Sequence, residues 1–422
     1  MWKMGSLPEN TTVPGHLGRD LSQVVRRHPE TETVILARSE AALLSGEEIP
    51  AAALPESSDT GMAPKLITCE WESPAIGEME ATDLTLEDLV RAHAGKRERS
   101  PAPTVNLFGP PIFNPGAAAE YEEAERLLAL IGVDVNARVP LDASVRDLSR
   151  LPRAWANLLL YRETGESATL YLQDEFGMQR VTTPMIGSAG TGSVLRSIGE
   201  LCNLDGNKVQ RSIWGELART TKLPWYARLA TPETFQSRRV AIFGDFTYTL
   251  GLGYALAREV GFEVAPCGTY LTHLERDFLF HAHTFTEDAF VTDDPGEVAD
   301  RIEESRPDLL IGTHLEGEVA EGLNIPFLPL CPPVSSHPFV QRPLMGYAGS
   351  SVLADALDRS PRRIEAQARV IPAGLPWTDD ALDELEEIPA FLRGRARRLA
   401  EERARKLDAP EVTTELLQDS RH

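Results

Sequence analysis

Two rhythms of apolar residues alternate along this chain: short continuous runs that suit buried strands, and helical spacing between them. The first helical pattern lies in LGRDLSQVVRRHP, and the run Thr33–Ala37 follows it as a buried strand. Ile49–Pro64 is rich in Pro, Ala and Ser and reads as a loop. KLITCE is a second strand, and LTLEDLVRAH predicts a helix over Leu84–His93. A second unit opens on the strand TVNLFGPP, which ends at Gly109. It continues with a helix over Ala117–Ile131, strand VDVNARV, a short helix over Val145–Ser149, strand ANLLLY and a helix over Glu163–Glu175. The third unit repeats the plan from RVAIFGD (Arg239–Asp245): a helix through Val260, strand FEVAPCG, an arm TYLTHLERDFLFHAH, strand AFVTDD, a helix over Gly296–Glu304, and strand LLIGTH.

Strands that alternate with helices at this spacing form βαβ units and a parallel sheet. VNLFGP and VAIFGD are equivalent entry strands of two Rossmann-like domains, and ligands in such sheets gather at the carboxyl ends of strands. Gly109–Asn114, Asp245–Tyr248 and Gly312–Glu316 stand at those ends. The expected fold is α/β, with two full Rossmann-like parallel-sheet domains, one partial α/β domain and a C-terminal helical domain. The expected boundaries are 1–99 for the partial domain (its first 15 residues a disordered lead), 100–236, 237–358, a linker over 359–375, and 376–422. In the last of these, Thr378 is placed to cap a helix that begins with Asp379 and Asp380.

Composition narrows the function. A length of 422 residues suits several domains, and 42% hydrophobic with 25% charged residues is ordinary globular usage. The net charge of −22 argues against nucleic-acid partners, since phosphate would be repelled. No run of about 18 apolar residues marks a membrane span. The opening MWKMGSLPENTTVPG lacks the apolar core of a signal peptide, so the cytoplasm is the expected location.

Cys69, Cys202, Cys267 and Cys331 are scattered, with no CxxC pair; they suit neither a disulfide framework nor an iron–sulfur site carried by this chain alone. No GxGxxG or GxxxxGK[ST] follows an entry strand, so no dinucleotide or ATP is expected. The glycines of TLGLGYALA fall inside a helix and suit close packing. His273, His281 and His283 lack partners at metal-ligand spacing. His314, at a strand end, and His337, just before the MGYAG turn, are better placed for a pocket, where an imidazolium could bind a carboxylate. Glu163 and Glu166 read as acids opening a helix, and Asp245 as a helix cap.

Four segments carry a resemblance: YRETGES (Tyr161–Ser167), LPWYARLATPETFQSRRVAIFGD (Leu223–Asp245), RPLMGYAGSSVLADAL (Arg342–Leu357) and LPWTDDALDELEEIPAFLRGRARR (Leu375–Arg398). In this order they resemble the B subunit of light-independent protochlorophyllide reductase, a relative of nitrogenase component 1. The Z subunit of chlorophyllide reductase shares some of them, but PWYAR and FLRGRARR favour the B type.

The resemblance implies a heterotetramer with an N-type subunit and electrons from an ATP-dependent iron–sulfur reductase subunit. It also implies a [4Fe–4S] cluster shared with the partner subunit, and a tetrapyrrole substrate reduced at a ring double bond. It further implies where this chain departs from its family. The cluster-ligand aspartate of the leading segment has no counterpart before LGRDLSQVVRRHP, and a family cysteine position holds Glu40. The proton donor's position holds Thr231, whose hydroxyl is too weak an acid for that role near neutral pH. Glu233, two residues on, is the possible substitute. Around the pocket a family histidine position holds Ser335, beside His337, and a Glu–Arg pair reads Glu316–Gly317. Residues expected to bind substrate are His314, Glu316, His337, Gly346 and Tyr347. An eroded, non-catalytic tetrapyrrole-binding or assembly paralogue is the alternative expectation.

Overall fold

The computed structural model describes residues 17–37, 54, 63–69, 76–111, 114, 116–221, 238–332, 342–359, 375–388, 396–397, 399–401, 403–404, 407 and 409–419. Helix α1 (Leu17–Arg27) leads to a two-stranded parallel pair, β1 (Thr33–Ala37) and β2 (Lys65–Cys69), backed by α2 (Glu78–His93). The expected helix over Leu84–His93 thus starts at Glu78, because Met79, Asp83 and Leu86 lie on its buried face.

The second sheet comprises β3 (Thr104–Phe108), β4 (Asp134–Val139), β5 (Ala156–Leu159) and β6 (Gln179–Val181), in the order β4-β3-β5-β6 and parallel throughout. Its helices are α3 (Ala117–Ile131), α4 (Val145–Arg150), α5 (Glu166–Phe176), α6 (Gly187–Leu201) and α7 (Gly206–Thr221).

The third sheet has the order β11-β10-β7-β8-β9, built from β7 (Arg239–Gly244), β8 (Glu263–Thr269), β9 (Ala289–Val291), β10 (Leu309–Gly312) and β11 (Phe327–Pro329). Helix α8 (Phe246–Ala255) follows β7, α9 (Glu275–Ala282) follows β8, α10 (Pro295–Ser305) follows β9, and α11 (His314–Leu323) follows β10. Helix α12 (Gly346–Arg359) closes the unit. The central strands β5, β7 and β10 are covered on both faces, which is why they read as continuous apolar runs rather than as alternation.

Two local expectations are corrected. The segment expected to be an arm is largely α9, held because Phe278 and Ala282 are buried one turn apart. Glu163 does not open a helix: α5 starts at Glu166, and Glu163 sits in the preceding tight turn, almost fully buried. The glycines of TLGLGYALA do lie in close contact. A Cβ on Gly251 would come within 2.8 Å of Ile186, and one on Gly253 within 2.5 Å of Phe285.

One hydrophobic core runs through both large units, joining Leu107, Tyr121, Ile186 and Ile198 to Ile242, Phe246, Leu252, Met345 and Tyr347. At the C-terminal end, α13 (Asp379–Glu387) packs with α14 (Thr414–Asp419) over a separate small core that includes Leu385, Ile388, Val412 and Leu417. The Thr378 side chain accepts from the Ala381 amide at 3.3 Å, the cap expected of it. Thr378→Ala should therefore cost this unit about 1 kcal/mol, read as a lower thermal midpoint for α13 with the large sheets unaffected. Among the described residues no helix is long and apolar enough to cross a membrane.

Candidate functional site

The carboxyl ends of β5 and β7 meet between the two large units, and a buried polar seam joins them. Tyr161 follows β5; its hydroxyl donates to Asp245 Oδ2 at 2.8 Å, while the Tyr248 amide donates to Asp245 Oδ1 at 3.0 Å. Glu163 reaches across to α8: Thr247 donates to its two carboxylate oxygens from the amide at 2.5 Å and from the hydroxyl at 2.6 Å. The Arg162 amide donates back to the Thr247 hydroxyl at 3.0 Å. Next to these, Tyr248 donates to Glu120 Oε1 at 2.9 Å and receives the Asn114 side-chain amide at 3.3 Å. The Arg162 guanidinium closes the rim, paired with Glu166 and Asp277 and lying 5.0 Å from the Phe246 ring.

No cation touches Glu163, Asp245 or Glu120 among the described residues. A buried carboxylate in that position tends to hold its proton, because its charge is not compensated. Burial pushes Glu120 up to about 7 and Glu163 up to about 7. It pushes Asp245 well above its ordinary range too, with the charge of Glu163 adding to the effect.

A second device locks the same interface. Pro184-Met-Ile-Gly-Ser-Ala-Gly190 and Pro343-Leu-Met-Gly-Tyr-Ala-Gly349 are two copies of one pattern, P-x-x-G-x-A-G, leading into α6 and α12. They meet through an antiparallel bridge between Ile186 and Met345, and the Gly346 amide donates to Met185 O at 2.7 Å. Gly187 and Gly346 share a φ of 74°, a left-handed conformation that side chains oppose.

Each helix start takes a carboxylate from the other unit's first helical segment. On α6, Glu259 accepts from the Ser188 amide at 3.0 Å and the Ala189 amide at 2.9 Å. On the α12 side, Glu123 accepts from the Ala348 amide at 3.0 Å, and Glu120 from those of Leu344 at 2.9 Å and Met345 at 2.8 Å. The free amides at these two helix starts are thus satisfied from within the protein.

The expected site residues fall in different places. Thr231, Glu233 and His337 lie outside the described residues, as do Glu40 and Ser335. His314 is exposed as the first residue of α11. Glu316 is buried, and its carboxylate accepts from the Thr313 amide at 2.7 Å and hydroxyl at 2.6 Å, completing a capping box. Gly346 lies in the paired glycine turns, where a Cβ would come within 2.4 Å of Glu123. Tyr347 is 1% exposed, with its hydroxyl unpartnered among the described residues.

The structure therefore gathers Gly346 and Tyr347 with the seam. Reading the sequence misses Glu120, Glu123, Tyr161, Thr247 and Glu259; the repeated P-x-x-G-x-A-G and the acids on the otherwise apolar AAAEYEEAERLLALI are the available signals.

The described residues do not make a cluster site. All four cysteines are free and buried. Cys69 hydrogen-bonds the Thr85 hydroxyl at 3.5 Å, and Cys331 packs on Gly244. No group of three or more His, Cys, Asp or Glu among the described residues is arranged to hold a metal ion.

Comparison with known proteins now decides the family. The family described as Nitrogenase component 1 type Oxidoreductase matches residues 5–360. The chain belongs to that family. Residues 377–421 match a second family, described as Proto-chlorophyllide reductase 57 kD subunit. The B subunit of light-independent protochlorophyllide reductase from Leptolyngbya boryana is 31% identical over 371 residues, covering 81% of this chain and 73% of the relative. Its counterpart from Chlorokybus atmophyticus is 30% identical over 375 residues, with the same shares covered. A solved structure described as nitrogenase Cp1 at pH 6.5 superposes with a TM-score of 0.67 at 16% identity, over 84% of this chain and 81% of that one. It shares the fold of this component 1 type chain.

Proposed function

We propose that this chain is a B-type member of a protochlorophyllide reductase-like oxidoreductase complex, reducing a ring double bond of a tetrapyrrole with electrons from an ATP-dependent iron–sulfur reductase. One observation carries the reading: a component 1 type match over residues 5–360 is followed directly by a protochlorophyllide reductase match over 377–421. In this reading the partners are an N-type subunit in a heterotetramer and the reductase subunit. Any [4Fe–4S] cluster is held chiefly by the N-type partner, because the described residues of this chain supply no site for it. In this reading the tetrapyrrole binds at the carboxyl ends of the strands, where the exposed His314 could meet a propionate, while Glu316, Gly346 and Tyr347 lie buried behind that surface.

A second reading rests on the substitutions. With Thr231 at the donor position and Glu40 at a cysteine position, the chain can retain the fold and a tetrapyrrole pocket as a binding or assembly paralogue, without catalysis. Anaerobic co-expression with an N-type subunit separates the two. A brown complex that reduces protochlorophyllide when given the reductase subunit and ATP supports the enzyme. A colourless protein that binds protoporphyrin but reduces nothing supports the paralogue. Failure to bind either partner or porphyrin removes both.

A further inference from the structure

The geometry points to the seam between the two Rossmann-like units as a proton-loaded latch: its carboxyl groups hold the units together in their neutral form, and opening the seam releases protons. Three observations carry this. Glu163, Asp245 and Glu120 are each 0–1% exposed, and all lie on bonds that cross between units or onto the P-x-x-G-x-A-G turns. Their partners are amides and hydroxyls, not cations. The arginine beside them is engaged elsewhere, by Glu166 and Asp277. Charge at this seam would therefore be buried without full compensation, and the neutral form is the one that closes it.

The amides and hydroxyls on Glu120 and Glu163 favour the charged form, but burial outweighs them, and the neighbouring Glu123 on α3 adds to the rise at Glu120. On the β5 turn the titratable neighbours are Tyr161 and Arg162, and on α8 Tyr248. Tyr270 after β8 and Cys331 after β11 face Asp245, both as neutral groups whose burial opposes ionisation. From α2, Asp83 holds the Ser167 amide and Glu78 lies toward Tyr270; from α9, Asp277 and His281 flank Arg162. Arg162 favours charge on Glu163, but burial outweighs it and the guanidinium is shared with two other acids. Burial raises the acids of the seam, so they bind protons in the closed state that they lose when opened. Glu120 and Glu163 must then make seam stability fall as pH rises from about 4.5, the ordinary carboxylate range, to about 7, and Asp245, raised by the same burial, adds a fall of the same sign.

Hydrogen exchange read by mass spectrometry on the full chain tests this, because the Arg162, Thr247 and Tyr248 amides are bonded within the seam. After correction for intrinsic rates, protection in peptides covering 160–166 and 244–250 should fall between pH 5 and 7. The expected slope is about tenfold per pH unit for each proton released. Peptides covering 105–108 in β3 should stay level. Glu163→Gln and Asp245→Asn imitate the neutral acids, and at least one should flatten the slope and raise protection at pH 8. A seam whose protection does not change from pH 5 to 7, or a slope that survives Glu163→Gln, Asp245→Asn and Glu120→Gln together, overturns the latch.

Discussion

Gly349→Ala should destabilise the protein by ~3 kcal/mol or more, and no other single methyl group tested should cost as much. A Cβ at this position would lie 2.1 Å from the carbonyl carbon and oxygen of Leu344. Both are backbone atoms in the turn that meets Ile186, so no flexible side chain can yield. Relief requires shifting the Leu344 turn against the start of α12, and the next residue, Met345, carries the bridge to Ile186 within the core shared by both large units. Gly190→Ala meets Pro184 O at 2.6 Å in the matching turn and should behave alike but less severely.

The control is Gly215→Ala on α7. Nothing lies within 4 Å of that Cβ, so alanine should stabilise the helix by about 0.5–1 kcal/mol. Denaturant midpoints of the three variants, followed by tryptophan fluorescence and circular dichroism together, decide it. A Gly349→Ala protein within 1 kcal/mol of wild type would mean that the paired turns do not hold the units together.

Glu120→Ala is the second large loss, and its size should depend on pH. The side chain accepts from the amides of Leu344 and Met345 and from the Tyr248 hydroxyl, all buried. Alanine strands three donors at roughly 1–3 kcal/mol each, so the loss near pH 5 should be on the order of 3–5 kcal/mol. The sign of the pH effect follows from burial, which raises this carboxyl from 4.5 to about 7 in the folded protein.

Below pH 4.5 it is neutral in both states and costs nothing. As pH rises toward 7 the unfolded chain ionises and the folded one does not, so wild-type stability declines, then levels off. The alanine variant lacks that decline. The gap between the two proteins should therefore be widest near pH 5 and narrow toward pH 8. Thermal midpoints at the two pH values measure it, and a gap that widens with pH would show that Glu120 is ionised in the closed interface.

Elements are legible where one segment carries its own evidence. TVNLF and RVAIFG declare buried strands through largely apolar runs, and TVILA forms its expected strand with residues 33–36 only half-buried; each lies within a residue or so of its expected place. Asp245 and Thr378 read as caps because the donor they satisfy is only three residues away. Glu163 is misplaced for the opposite reason. Its partner, Thr247, is 84 residues distant, and nothing near YRETGES indicates that an acid there turns away from its own helix. Glu259 caps a helix 71 residues before it, and Glu120 a turn 224 residues after it, so both look like ordinary surface acids of amphipathic helices.

Local order and membership of the component 1 type family are thus written in the chain itself: apolar periodicity dictates strands and helices, and ordered motifs from YRETGES to FLRGRARR mark the lineage. Only the tertiary structure decided that the strand ends are joined by shared acids, that two glycine turns face each other, and that each unit caps the other's helix. The physical reason is range. Strand and helix signals act over a few residues, whereas the proton held by a carboxyl group depends on water being excluded by chain segments far away in sequence.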